Sequence, residues 1–217
     1  MSCRINVILD LDNTIINALS DSDRNKLNSE FSNQFDHASF RPYFKIYARP
    51  HLQEFLDYLF AHFNVAVITA AEKEYALSIV DQFILRKDKP ERKLEFVFYR
   101  YQVDLSRELY GGMKDLRIVW DMFRMNGFQK YNTVIIDDLD LVYNSNPYNT
   151  LRIPGFFVVD EDNGKINYDS INDTALLDMM KTLEFIRLNY GPQLCEGLNK
   201  AILEYSSVSN KLITSNK

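Results

Sequence analysis

The chain has 217 residues, 46% of them hydrophobic and 25% charged, which excludes disordered, collagen-like and coiled-coil proteins and suits one domain with a sizeable core. A formal charge of −5 argues against a protein that binds nucleic acid directly by blanketing its phosphates. No apolar run approaches the ~20 residues that cross a bilayer, and the start leads into a strand-like segment instead of a signal peptide; the expectation is no membrane association and an intracellular address, nuclear or cytoplasmic. Cys3 and Cys195 have no Cys or His neighbours at ligand spacing, so both read as free thiols.

In chain order, Arg4–Asp10 is a β-branched apolar run closed by acidic residues, the pattern of a strand buried on both faces. Residues 20–40 are rich in Ser, Asn and Asp and read as a long surface loop. Helical periodicity over 50–63, with Pro50 in the first turn, precedes a second buried strand at 64–69 and a helix over 73–85. The mixed-charge run Arg86–Lys93 around Pro90 reads as a solvated connection. A strand follows at 94–99, then a helix over 115–126 capped by Asn126-Gly127, strands at 133–137 and 155–159, and a helix over 173–190. Helical character continues to about Tyr205, broken at Gly191-Pro192, before a frayed tail. Buried strands alternating with amphipathic helices predict an α/β, doubly wound fold on a mostly parallel sheet.

The strongest chemical signal is Asp10-Leu11-Asp12-Asn13-Thr14, placed where the first strand ends. In an open α/β sheet the ligand crevice lies outside the carboxyl ends of the strands, so both carboxylates face a pocket. A carboxylate is a competent nucleophile towards phosphorus, and a neighbour two residues on is able to move protons to the leaving oxygen and from water. Two anions beside a phosphate call for a hard dication such as Mg2+. Asp137-Asp138 ends another apolar run in the same way and supplies further metal ligands. Thr69, at the end of the 64–69 strand, offers a hydroxyl to phosphate oxygens, and Lys114 offers a point charge. His37, His51 and His62 show no ligand spacing and are assigned to surface or packing roles. Phe96, Phe98, Tyr99 and Tyr101 read as core and sheet, and are also the candidate wall of a substrate pocket.

The order Asp10-x-Asp12-x-Thr14, Thr69, Lys114, Asp137-Asp138 resembles the four motifs of the haloacid dehalogenase superfamily, and its D-x-D-x-T form resembles the branch of RNA polymerase II CTD phosphatases and NLI-interacting-factor-like phosphatases. Arg49-Pro50 through Phe55-Leu56, Val67–Ala71 with Tyr75-Ala76, and Lys114-Asp115-Leu116 match that branch locally. The resemblance implies a catalytic domain over residues 1–190 without a large cap, a small insertion at about 86–112 between the second and third motifs, and a C-terminal helix and tail over 191–217. It implies Asp10 as nucleophile forming an aspartyl-phosphate and Asp12 as general acid and base. Thr14 braces the motif loop and is grouped with Thr69 and Lys114 as phosphate-binding, while Asp10, Asp12, Asp137 and Asp138 hold Mg2+. The implied substrate is phosphoserine or phosphothreonine in a protein or peptide. A small-metabolite phosphatase and a non-catalytic docking or assembly module are the alternatives. The chain departs from familiar members in following its acidic pair with Leu139-Asp140 instead of Arg or Ser.

Overall fold

The computed structural model describes residues 4–24, 26–40 and 44–190. Cys3, Cys195, and the expected helix continuation to Tyr205 with its break at Gly191-Pro192 lie outside the described residues. Five strands form the central sheet: β1 (Asn6–Leu9), β5 (Asn64–Ile68), β6 (Leu94–Phe98), β7 (Thr133–Asp137) and β8 (Thr150–Arg152). They lie in the order β6-β5-β1-β7-β8, and each neighbouring pair is parallel. From β1 the chain winds outward to β5 and β6, then returns to the other side of β1 for β7 and β8. That reversal makes the carboxyl end of β1 a topological switch point, where α/β sheets open a crevice.

The central strands are apolar on both faces because helices cover both. Val7 and Leu9 point into one core with Phe55, Leu59 and Leu183, whereas Ile8 packs with Val119, Phe128 and Ile135 on the other side. α3 (Leu52–His62) buries Leu52, Phe55, Leu56 and Leu59, a stripe at three- and four-residue spacing, and α7 (Ala175–Tyr190) packs against it. Full burial of each such side chain is worth about 1.5–3 kcal/mol.

Residues 20–40 are not a loop. β2 (Ile16–Ser20), β3 (His37–Phe40) and β4 (Phe44–Ala48) form an antiparallel sheet in the order β2-β4-β3, with the one-turn helices α1 (Asp21–Arg24) and α2 (Ser29–Ser32) between β2 and β3. Phe31 and Phe35 anchor the excursion by burying themselves with Leu19, Tyr47, Phe156 and Val158. This second cluster also accounts for 155–159, expected as a strand: the apolar run serves burial of Phe156 and Val158, while the fifth sheet strand is the short β8 before it.

Residues 86–112, expected as a small insertion, supply the edge strand β6 and the helix α5 (Arg100–Tyr110); the antiparallel sheet comes from the segment upstream of α3. The charged run before β6 is only partly solvated. Arg92 is buried, donating to Asp57 Oδ1 at 2.6 Å and to the Ile84 carbonyl at 3.0 Å, which ties the connection to α3. The expected 73–85 helix is α4 (Lys73–Ile79) continued by a π-helical turn, Val80–Ile84. The expected 115–126 helix shortens to a π-helical turn at Ile118–Met122, because Lys114 and Arg124 have left-handed φ values of 51° and 48° that a right-handed helix does not carry. α6 (Asp140–Ser145) joins β7 to β8.

Candidate active site

The acidic motif begins one residue beyond β1. Asp10 N donates to the Ile136 carbonyl, so the chain is still held by the sheet as it emerges at the switch point. The backbone then turns sharply: Thr14 N, Ile15 N and Ile16 N all donate to the Leu11 carbonyl, and Asn13 has φ 59°. Asn suits that left-handed position better than most residues. Its carbonyl accepts from Phe156 N at 2.7 Å, which clamps the turn to the 155–159 segment.

Five of the expected site residues, Asp10, Thr14, Lys114, Asp137 and Asp138, converge. Lys114 Nζ donates to Asp10 Oδ1 at 2.5 Å and to Asp137 Oδ2 at 2.7 Å, with all three side chains buried. Thr14 Oγ1 lies 3.3 Å from Asp10 Oδ2 and 3.1 Å from Asp138 Oδ1, bridging the first and last motifs. Asp137 Oδ1 accepts from Leu139 N at 2.9 Å, which fixes its rotamer. Asp12 sits at the rim, where its Oδ1 accepts from the Tyr75 hydroxyl at 2.7 Å. Thr69 closes β5, beside β1; its N donates to the Phe98 carbonyl and its hydroxyl accepts from Ala71 N at 3.1 Å, an arrangement that turns the chain towards α4.

Four carboxylates therefore face one ammonium, and the electrostatics follow. Burial raises the Asp12 carboxyl to about 6, with Tyr75 pulling it down and the Asp10 charge pushing it up. Asp137 is also raised, by burial first and Asp10 second, against the pull of Lys114. Asp138 moves the same way, chiefly by burial. Burial alone would discharge Lys114, but Asp10 and Asp137 outweigh it and hold the ammonium charged. Carboxyl oxygens of Asp10, Asp137 and Asp138 all lie within 4.8 Å of one another. Hard oxygen donors, mutually repelling and short of positive charge, fit a hard divalent cation.

Three supporting residues carried no assigned role in the sequence. Arg49, fully buried, donates from Nε and Nη2 to Asp173 at 2.9 and 2.8 Å and from Nη1 to the Thr14 carbonyl at 2.9 Å. Asn146 grips the backbone around Lys114, and Tyr75 grips Asp12. Arg49 and Tyr75 stand inside the local matches to the phosphatase branch, a signal that marks them without giving their partners; Asn146 lies in the 143–147 stretch, which is only loosely similar to that branch.

Beside Asp12 opens a groove of about 710 Å3. One wall is Ala18, Phe40 and Phe44 of the antiparallel sheet; the other is the start of α4, including Tyr75, with Arg100. None of the expected wall residues Phe96, Phe98, Tyr99 and Tyr101 lines this groove; Phe96 and Phe98 pack instead with the cluster on the Ile8 side of the sheet, where Phe96 meets Phe128 edge-on. The aromatic side chains that line the groove are Phe40 of β3 and Phe44 of β4, with Tyr75.

This parallel sheet, with its acidic strand-end site bridged by a lysine, defines a phosphatase of the haloacid dehalogenase type. The family model for NLI interacting factor-like phosphatases matches residues 5–191, and the chain belongs to that family. It is 39% identical over 184 residues to the CTD phosphatase-like protein 355R of Invertebrate iridescent virus 3, covering 82% of this chain and 94% of that protein. The protein of the same name in Invertebrate iridescent virus 6 is 40% identical over 162 residues, covering 72% of this chain and 88% of the relative. Among solved structures, Fcp1, an essential RNA polymerase II CTD phosphatase, superposes with a TM-score of 0.61 at 20% identity. The match covers 87% of this chain and 63% of that one, and establishes the fold. Family membership implies a divalent metal, in keeping with the acidic cluster.

Proposed function

We propose that the protein is a Mg2+-dependent phosphatase that acts through an aspartyl-phosphate on phosphoserine or phosphothreonine in a protein. The observation that carries this reading is the placement of Asp10 at the switch point, held from one side by Lys114 and braced by Thr14, with a second carboxyl, Asp12, at the rim. Asp10, Asp137 and Asp138, with the Asp12 carbonyl, would hold Mg2+, which when bound neutralises phosphate charge and orients the phosphoryl group.

In the first half-reaction a carboxylate oxygen of Asp10 attacks phosphorus. The bond from phosphorus to the serine or threonine oxygen breaks, and that oxygen leaves with its electron pair and takes a proton from Asp12. A carboxyl raised to about 6 retains enough of the acid form near neutrality to donate. In the second half-reaction Asp12 removes a proton from water, whose oxygen attacks phosphorus; the acyl-phosphate bond breaks, returning the Asp10 carboxylate and free phosphate. Lys114 and the Thr69 hydroxyl serve the phosphate oxygens, and the ammonium offsets charge that would otherwise repel a dianion. The open, partly apolar groove beside Asp12 supports a peptide over a small metabolite, which calls for an enclosing pocket. A phosphoprotein substrate sets this work inside the cell, in nucleus or cytoplasm.

The test is hydrolysis of para-nitrophenyl phosphate, a phosphoserine peptide and a sugar phosphate, with Mg2+ or chelator, by wild type and Asp10→Asn. The expected result is Mg2+-dependent turnover that favours the peptide and falls by roughly a thousandfold or more in the variant, whose amide does not attack phosphorus. Preference for the sugar phosphate would replace the peptide substrate, and folded wild type inert on all three would overturn the catalytic reading.

A further inference from the structure

The hydroxyl of Tyr75 donates to Asp12 Oδ1 at 2.7 Å. Tyr75 stands in the first turn of α4, and its ring meets Phe40 edge-on, with centroids 5.2 Å apart and planes at 90°. Phe40 ends β3, and Phe40, Tyr75 and Asp12 line the same groove. The phenol is thus held from two sides: its ring by the antiparallel sheet and its hydroxyl by the carboxyl group at the rim.

A carboxylic acid carries its proton on one oxygen. A donor fixed on Oδ1 leaves Oδ2 as the oxygen that bears and delivers the proton, and holds the carboxyl plane against rotation. We propose that Tyr75 is a positioning residue for the proton donor: it orients Asp12 so that Oδ2 faces the leaving oxygen, and Phe40 in turn orients Tyr75. This rests on the reading of Asp12 as general acid given above, and adds that the groove wall helps to set the acid's geometry.

Proton donation matters most when the leaving group is poor, so the role has a signature that a purely structural tyrosine lacks. The experiment measures kcat/KM for phenyl phosphates of matched shape, from para-nitrophenyl phosphate, whose phenolate leaves readily, to unsubstituted phenyl phosphate, whose phenolate does not. For Tyr75→Phe we expect a loss of roughly tenfold on phenyl phosphate and of no more than about twofold on para-nitrophenyl phosphate. Because both rates come from one sample, their ratio cancels the fraction of folded enzyme. Phe40→Ala, which keeps the hydroxyl but removes the ring that holds it, should shift the ratio in the same direction by a smaller factor, and decides the matter if Tyr75→Phe does not fold. Equal losses on the two substrates, or no loss on either, would overturn the inference while leaving the phosphatase intact. If wild type itself turns over neither phosphate with Mg2+, it is the catalytic reading that fails.

Discussion

Asn146 Nδ2 donates to the Lys114 carbonyl at 3.0 Å while its Oδ1 accepts from Leu116 N at 2.9 Å, so one buried amide holds the backbone on both sides of the residue after the active-site lysine. Lys114 itself has a left-handed backbone, unfavourable for a residue with a Cβ unless its surroundings impose it. Asn146 is part of what imposes it. Asn146→Ala leaves a buried carbonyl and a buried N–H short of partners, at a cost of about 1–3 kcal/mol for each group that finds no replacement. We expect a lower melting temperature together with a fall in kcat/KM larger than the folded fraction explains. Unchanged kinetics in the folded variant would mean that other contacts place Lys114.

Lys114 stands buried between two carboxylates, and removing it has a distinct consequence. Lys114→Met should destabilise the chelated protein by roughly 3–5 kcal/mol, the range for breaking a buried ion pair by deleting one partner. Because Asp10 and Asp137 then lack their ammonium, added Mg2+ should raise the melting temperature of the variant by more than that of wild type. Thermal melts with Mg2+ and with chelator test this, and an equal Mg2+ gain in both proteins would count against the shared acidic site.

The raised carboxyls predict an unusual pH dependence in the chelated protein. Asp12, at about 6, and Asp137 bind protons more tightly folded than unfolded. Their contribution is therefore fully present below about pH 3.8, the unfolded value, and is lost as pH rises through the folded values. Between pH 5 and 7.5 these groups should make the chelated protein less stable as pH rises. Mg2+ held by the Asp137 carboxylate reverses the sense for that group by displacing its proton, so metal affinity should fall with acidity and binding should release protons. Calorimetry in buffers of different ionisation enthalpy measures that release; the absence of any would contradict the assignment of the Asp137 carboxylate to the metal.

Arg49 joins the loop before α7 to the acidic turn, through the Asp173 carboxylate and the Thr14 carbonyl. Lysine keeps the charge but not the planar fork, so Arg49→Lys should lose both the bidentate pair and the bond to Thr14. We expect a stability loss of about 2–4 kcal/mol and reduced turnover, since Thr14 braces Asp10 and Asp138. A variant that melts like wild type would show that the fork is dispensable.

The central sheet was legible because its strands are buried on both faces and read as short apolar runs, and because parallel strands need helices between them. Asp10, Asp12, Thr14, Lys114, Asp137 and Asp138 were legible because they occupy strand ends or defined motif steps. The antiparallel sheet was not. β3 and β4 are short and partly exposed, and their alternation acquires meaning only once they pair with β2. The run at 155–159 shows the converse limit: apolar residues announce burial, but pairing decides between strand and packed loop, and here Thr150–Arg152 holds the sheet edge.

Sequence order alone determined that two acidic pairs would emerge at neighbouring strand ends, because buried strands leave those side chains few other places to go; Lys114, outside any strand, was marked by the motif resemblance. Only the tertiary structure decided the partners: Tyr75 on Asp12 across 63 residues, Arg49 on Asp173 across 124, and Asn146 on Lys114 across 32. Such bonds depend on angles and distances between packed elements, and a linear pattern of residue types carries the chemistry of each group but not the direction in which the fold points it.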